Sequence, residues 1–186
     1  MNYINKILDS IKAQDQSKLN GWIIDLRFNY GGDMWPMLIA LSPFFKDGQL
    51  GSFKSSGLNE IWKKSGNKIF IKDDPQNERV YNSAVTYKLK NASIKIAVLI
   101  NKTTQSAGEA TTIALKSVKN VSFFGLRTRG LATSNETIPM DNGDFLILTT
   151  AWMYDCHSRK YPQGIEPDYS ACNYQELENS LLHWVR

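Results

Sequence analysis

Hydrophobic and polar positions follow several distinct periods along the chain. Ile4, Ile7, Leu8 and Ile11 recur at helical spacing and predict an amphipathic first helix after Asn2. Polar residues 14–20 lead to Gly21, where an apolar run predicts the first core strand. Residues 33–45 are strongly apolar with Pro36 near their start, as in the first turn of a helix, and are expected to pack beneath the sheet. Residues 46–49 read as a turn, 50–54 as a strand and 55–66 as a polar loop carrying Trp62, while 68–72 alternate as a strand should. Residues 73–93 are polar with Tyr81, Val85, Tyr87 and Leu89 at odd positions, which predicts an amphipathic strand or extended arm.

The second half is more sharply patterned. Residues 94–100 form a short β-branched run, read as a buried strand. Polar residues 101–105 follow, and then Ala110, Ile113, Ala114 and Val118 fall at helical spacing. The segment is therefore strand, tight loop, helix. Residues 121–124 predict a strand ending at Gly125, followed by a polar, mobile loop through Ser134. Residues 137–140, a turn over 141–144 and residues 145–149 predict a hairpin, with 151–154 continuing the sheet. Tyr174, Leu177, Leu181, Trp184 and Val185 space like a closing helix. No repeat or low-complexity segment appears, and this order of elements argues one mixed α/β domain over residues 1–186.

Composition narrows the function classes. The net charge of +4 is mild and the basic residues are interspersed with acidic ones, so a nucleic-acid track is not expected. The longest apolar stretch, residues 34–45, is too short to span a bilayer and contains Pro36 and Pro43. No signal peptide is recognisable at residues 1–6, so the chain taken literally reads as cytoplasmic; a piece of a longer secreted or anchored protein would look the same. Cys156 and Cys172 fit no metal spacing and read as free thiols, and His157 and His183 are too few and too separate for a metal site. No metal or cofactor is implied. Oligomeric state is left open.

Candidate chemistry centres on Ser106, at or just before the first turn of the helix that follows the buried strand. The first N–H groups of a helix lack internal acceptors and sit at the positive end of its dipole, so a hydroxyl held there lies beside donors suited to a developing oxyanion. Serine is also a common N-cap, and Glu109 three residues on completes a capping box, so the local pattern alone favours a structural role. A second stretch adds weight: Ile23-Ile24-Asp25-Leu26-Arg27-Phe28-Asn29-Tyr30-Gly31-Gly32 is a strand ending in paired glycines that leave backbone N–H groups unobstructed. Asp25 and Arg27 share a face of that strand, and a mutual ion pair or contacts to the glycine turn are expected.

Together these stretches resemble the S41 peptidases, the family of C-terminal processing (tail-specific) and tricorn-core proteases. The shared signatures are I-I-D-L-R-x-N-x-G-G at residues 23–32, T-x-S-A-G-E at 104–109, G-x-x-T-x-G at 125–130 and G-I-x-P-D at 164–168. The resemblance implies a crotonase/ClpP-like fold of stacked ββα units, a mixed sheet flanked by helices. It implies a serine peptidase acting on extended or unfolded polypeptide, with Ser106 as nucleophile and an oxyanion hole from Ala107 and Gly31 or Gly32. Thr104 and Gln105 would shape the turn, and Glu109 would cap the helix or order the site. One departure matters. The processing-protease branch carries a lysine base just after the G-x-x-T-x-G turn, whereas Gly130 is followed by Leu131, which cannot accept a proton. The chain is thus closer to the lysine-less branch, where the base is a histidine upstream of the I-D-L-R strand; no histidine precedes that strand here. Three readings follow: a core domain lacking an N-terminal portion that carries the base, a base supplied by His157 or Lys160, or a non-catalytic peptide- or ligand-binding domain of the same fold.

Overall fold

The computed structural model describes residues 3–72, 79–82 and 87–185. Helix α1 (Tyr3–Gln14) turns Leu8 and Ile11 inward, as its periodicity requires. Strand β1 (Gly21–Asp25) leads to α2 (Met34–Ala40), which Asp33 caps by accepting the Trp35 N–H at 3.0 Å, and a 3-10 turn (Ser42–Phe44) follows. Strands β2 (Gly48–Ser55), β3 (Leu58–Ser65), β4 (Lys68–Lys72) and β5 (Arg79–Asn82) come next. Strand β6 (Lys95–Ile100), helix α3 (Ala107–Leu115) and strand β7 (Val121–Gly125) form the centre of the chain. A long hairpin of β8 (Thr133–Pro139) and β9 (Phe145–Asp155), the short β10 (Tyr169–Ser170) and helix α4 (Tyr174–Val185) complete it.

The fold is α/β with helices flanking the strands, and its two kinds of pairing are segregated. One sheet has the order β1-β6-β7-β10 and its pairs are all parallel. The other has the order β5-β4-β3-β2-β9-β8 and is antiparallel throughout. All nine residues of α3 are buried, including Glu109, Thr111 and Thr112. A helix enclosed on all sides must satisfy its polar groups internally, and the Thr111 and Thr112 hydroxyls donate to the carbonyls of Ala107 and Gly108. This helix sits at the middle of the main apolar core, between α2 and strands β2 and β9.

Two sequence readings are corrected. Residues 55–66 are not a polar loop: Ser56 and Gly57 make a tight turn into β3, whose Trp62 is completely buried against Phe53 and Trp35. The loop before Ser134 is tethered rather than loose, since the Gly130 and Leu131 amides donate to Glu109 and Ala132 is buried. Of the arm expected over residues 73–93, residues 79–82 form β5; residues 73–78 and 83–86, Val85 among them, lie outside the described residues. Among the described residues, no helix is long and apolar enough to cross a membrane.

Candidate active site

Ser106 stands at the junction of the β6 loop and α3 with φ 51° and ψ −115°, a backbone conformation that side-chain-bearing residues rarely adopt. Holding it costs on the order of 1–3 kcal/mol, so neighbouring groups must fix it. Glu109, one turn along α3 and fully buried, accepts the Ser106 N–H at 3.2 Å. The Ser106 carbonyl accepts the Ala110 N–H at 2.9 Å, and the Gln105 carbonyl accepts the Gly108 N–H at 2.8 Å. This is the geometry that projects a serine side chain from a strand-to-helix elbow.

The glycine turn reaches the same point. A Cβ placed on Gly31, whose φ is +99°, would fall 2.9 Å from the Ser106 Cβ and 3.3 Å from its Oγ. The Gly31 N–H donates to Asn29 Oδ1 at 3.1 Å, whereas Gly32 lines the cavity onto which Ser106 and Ala107 open. Asn29 also accepts the Gln105 N–H on its carbonyl at 3.0 Å, and the Gln105 side-chain amide donates to the Tyr30 carbonyl. Thr104 is buried; its hydroxyl donates to the Leu26 carbonyl at 2.9 Å and accepts the Asn101 N–H. Thr104 and Gln105 thus join the serine loop to the glycine turn. Asp25 and Arg27 form the expected ion pair at 2.6 Å, outside the cavity.

Glu109 connects the remaining motifs. Its Oε1 accepts the Thr128 hydroxyl at 2.6 Å and the Gly130 N–H at 2.8 Å, and its Oε2 accepts the Leu131 N–H at 2.7 Å. The Thr128 hydroxyl in turn accepts the Ile165 N–H at 2.7 Å. The G-x-x-T-x-G and G-I-x-P-D turns pass so close that a Cβ on Gly164 would lie 2.3 Å from the Thr128 carbonyl oxygen. Asp168 ties the second turn to β7 by accepting the Phe123 N–H, while the Asp168 N–H donates to the Phe123 carbonyl. The bridging roles of Asn29, Thr128 and Asp168 were not assigned from the sequence. Their motif positions were the available signal, but the partners lie on distant segments.

The cavity at Ser106 encloses about 450 Å³ between α2, the antiparallel sheet and the start of β8. Trp35, Phe53, Leu58, Ile71 and Met153 supply apolar wall, and Thr133, Ser134, Asn135 and Glu136 of β8 border it. No histidine or lysine among the described residues lines it. His157 lies in a different cavity with Lys116, which caps the opposite end of α3, about 14 Å along a nine-residue helix. Burial lowers the Lys116 pKa there, and its ammonium rests over the Phe123 ring at 4.4 Å. Lys160 lies over the Trp152 ring, with Nζ 5.6 Å from the centroid. The structure therefore gathers Ser106, Ala107, Gly31, Gly32, Thr104, Gln105 and Glu109, and places His157 and Lys160 elsewhere.

The sequence profile described as Peptidase family S41 matches residues 2–171. The chain is 32% identical over 174 residues to the nisin-resistance protein of Lactococcus lactis subsp. lactis, covering 92% of this chain and 51% of that protein. It is 28% identical over 167 residues to the carboxy-terminal processing protease CtpA of Bacillus subtilis (strain 168), covering 89% of this chain and 32% of that one. Among solved structures, a lipoprotein from Streptococcus agalactiae superposes with a TM-score of 0.71 at 25% identity, covering 98% of this chain and 59% of that one. The photosystem II D1 C-terminal processing protease also gives 0.71, at 21% identity and over 92% and 39% of the two chains, and so shares the fold. The chain spans about half the length of the nisin-resistance protein and a third of CtpA. With all four motifs converging around Ser106, the chain belongs to peptidase family S41.

Proposed function

We propose that this chain forms the core of a serine endopeptidase in which Ser106 attacks the scissile carbonyl of an extended polypeptide. The observation that carries the reading is the strained Ser106 backbone, held by a buried Glu109 and pressed against Gly31. A serine that served only as a helix cap would not need that conformation.

In this mechanism the Ser106 Oγ–H gives its proton to a base as Oγ bonds to the carbonyl carbon. The oxyanion is stabilised by the amides of Ala107 and Gly32; the Gly31 amide is already engaged by Asn29. The base then passes the proton to the departing amine as the C–N bond breaks, and water hydrolyses the acyl-enzyme through the same base. Neither His157 nor Lys160 lines the cavity, which favours a base other than these two. Substrate would add along the open edge of β8 at residues 133–136. The names of the carboxy-terminal processing relatives favour a segment near a polypeptide terminus.

The test is a fluorophosphonate probe applied to this chain and to any longer product of its reading frame, with adducts located by peptide mapping. Labelling confined to Ser106 in an active protein, lost together with hydrolysis in Ser106→Ala, is expected. Hydrolysis that survives Ser106→Ala would overturn the assignment. Binding of peptide without hydrolysis or labelling in either protein would leave a non-catalytic domain of the same fold.

A further inference from the structure

The β8–β9 hairpin extends beyond the sheet that carries it. Strand β9 pairs with β2 from Trp152 to Asp155, so among the described residues β8 is the only strand beside residues 145–149. Phe145 and Ile147 are each 68% exposed on one face of this ribbon, and Leu146 and Leu148 are exposed on the other; Ile138 and Met140 add to the apolar surface. An isolated two-stranded ribbon is marginal in water, and apolar side chains concentrated on both its faces mark a binding surface.

Charge and position decide what it binds. Residues 131–150 contain Glu136, Asp141 and Asp144 and no lysine or arginine, although the whole chain carries +4. An anionic membrane surface would be repelled, and two such ribbons from two copies would bring like charges together. The strand is continuous with the cavity: residues 133–136 of β8 line the cavity onto which Ser106 opens, and the same strand runs on into the ribbon. We propose that the distal β8–β9 ribbon is a docking surface for an extended, apolar and cationic stretch of the polypeptide whose scissile bond lies at Ser106. This rests on the peptidase reading. From Ser134 to Pro139 the strand covers roughly 17 Å, so the ribbon engages substrate residues several positions from the bond that is cut. Short peptides that fill only the cavity do not reach it.

The experiment measures binding to Ser106→Ala protein by fluorescence anisotropy, using unfolded peptides of about 20 residues, a length set by ~3.3 Å per residue. One carries Leu and Lys among Gly and Ser, a second has Glu in place of Lys, and a third is a truncation of about six residues of the first. The basic long peptide is expected to bind at least about tenfold more tightly than the acidic one. The double variant Phe145→Ser/Ile147→Ser should weaken the basic long peptide about tenfold and leave the short one unchanged. Asp141→Lys/Asp144→Lys should narrow or reverse the preference between the two long peptides. Equal binding of the long peptide by the Phe145/Ile147 variant overturns the proposal. So does light scattering in which that variant converts a dimer to a monomer, which would assign the ribbon to a second copy. Fluorophosphonate labelling of the same ribbon variants carrying Ser106 keeps the two readings apart. Loss of labelling or hydrolysis in every protein indicts the peptidase, whereas labelling with no ribbon effect on binding indicts only the docking surface.

Discussion

Glu109 accepts the backbone N–H of Ser106 from one helical turn away, and the same carboxylate also holds Thr128, Gly130 and Leu131. A single buried group thus fixes both the serine elbow and the turn from which β8 departs. Replacing it with alanine would remove the acceptor of three part-buried amides and of the buried Thr128 hydroxyl. Glu109→Ala is expected to cost about 3 kcal/mol or more, read as a lowered urea midpoint, and Glu109→Gln about 1–3 kcal/mol. The Gln variant keeps the volume but points an NH₂ group at donors. It should remain folded while labelling of Ser106 slows. A Gln variant that labelled at the parental rate would limit Glu109 to holding the turn.

Gly31 supplies the second test of the elbow. Its positive φ excludes ordinary side chains, and a methyl group would meet Ser106 at 2.9 Å. Gly31→Ala must therefore displace the serine or the glycine turn. We expect stability to fall by about 1–3 kcal/mol and fluorophosphonate labelling of Ser106 to drop by more than about tenfold. An unchanged labelling rate would mean that the glycine turn does not constrain the nucleophile.

The motif residues were legible in the sequence because each answers a local demand: a strand end, a helix start, a turn needing glycine. Strand β3 was not. Ile61 and Trp62 are adjacent and flanked by charged residues, so the alternation that marks a half-buried strand is obscured, and only packing by Phe53 and Trp35 makes Trp62 core. The Ser56-Gly57 turn before it was the available signal. Strand β10, two residues paired to β7, is too short for any periodicity. The division into a parallel and an antiparallel sheet is a property of long-range pairing that no single segment encodes.

Trp62 offers a direct measure of that packing. It is fully buried, and its ring neighbours Phe53 and Trp35 border the Ser106 cavity. Trp62→Ala is expected to cost about 3–5 kcal/mol in denaturant unfolding. Trp62→Phe retains much of the ring volume and removes an indole N–H that is buried without an acceptor among the described residues, so its cost should be well under that of alanine. A fully exposed loop tryptophan would give less than about 0.5 kcal/mol for either change.

The hydroxyl of Tyr161 donates to Asp155 Oδ2 at 2.5 Å, and Asp155 Oδ1 accepts the His157 and Arg159 amides. Burial first, and then the bond to Asp155, pushes the Tyr161 pKa well above the ordinary tyrosine value. The folded state therefore keeps this proton after the unfolded chain has lost it. Stability from the pair is complete below about pH 10 and declines as pH rises above it, with a slope that approaches 1.4 kcal/mol per pH unit at most, about the value of one proton. Tyr161→Phe should cost about 1–3 kcal/mol at neutral pH by leaving the Asp155 oxygen unpaired. It should also remove this part of the alkaline decline, so that the stability difference between the two proteins shrinks from pH 10 to 11. Lys116, whose pKa is lowered by burial, titrates in both proteins and contributes the opposite slope below its unfolded value, which makes the difference between them the quantity to follow. A difference that stayed constant across that interval would mean that Tyr161 ionises alike in the folded and unfolded chains.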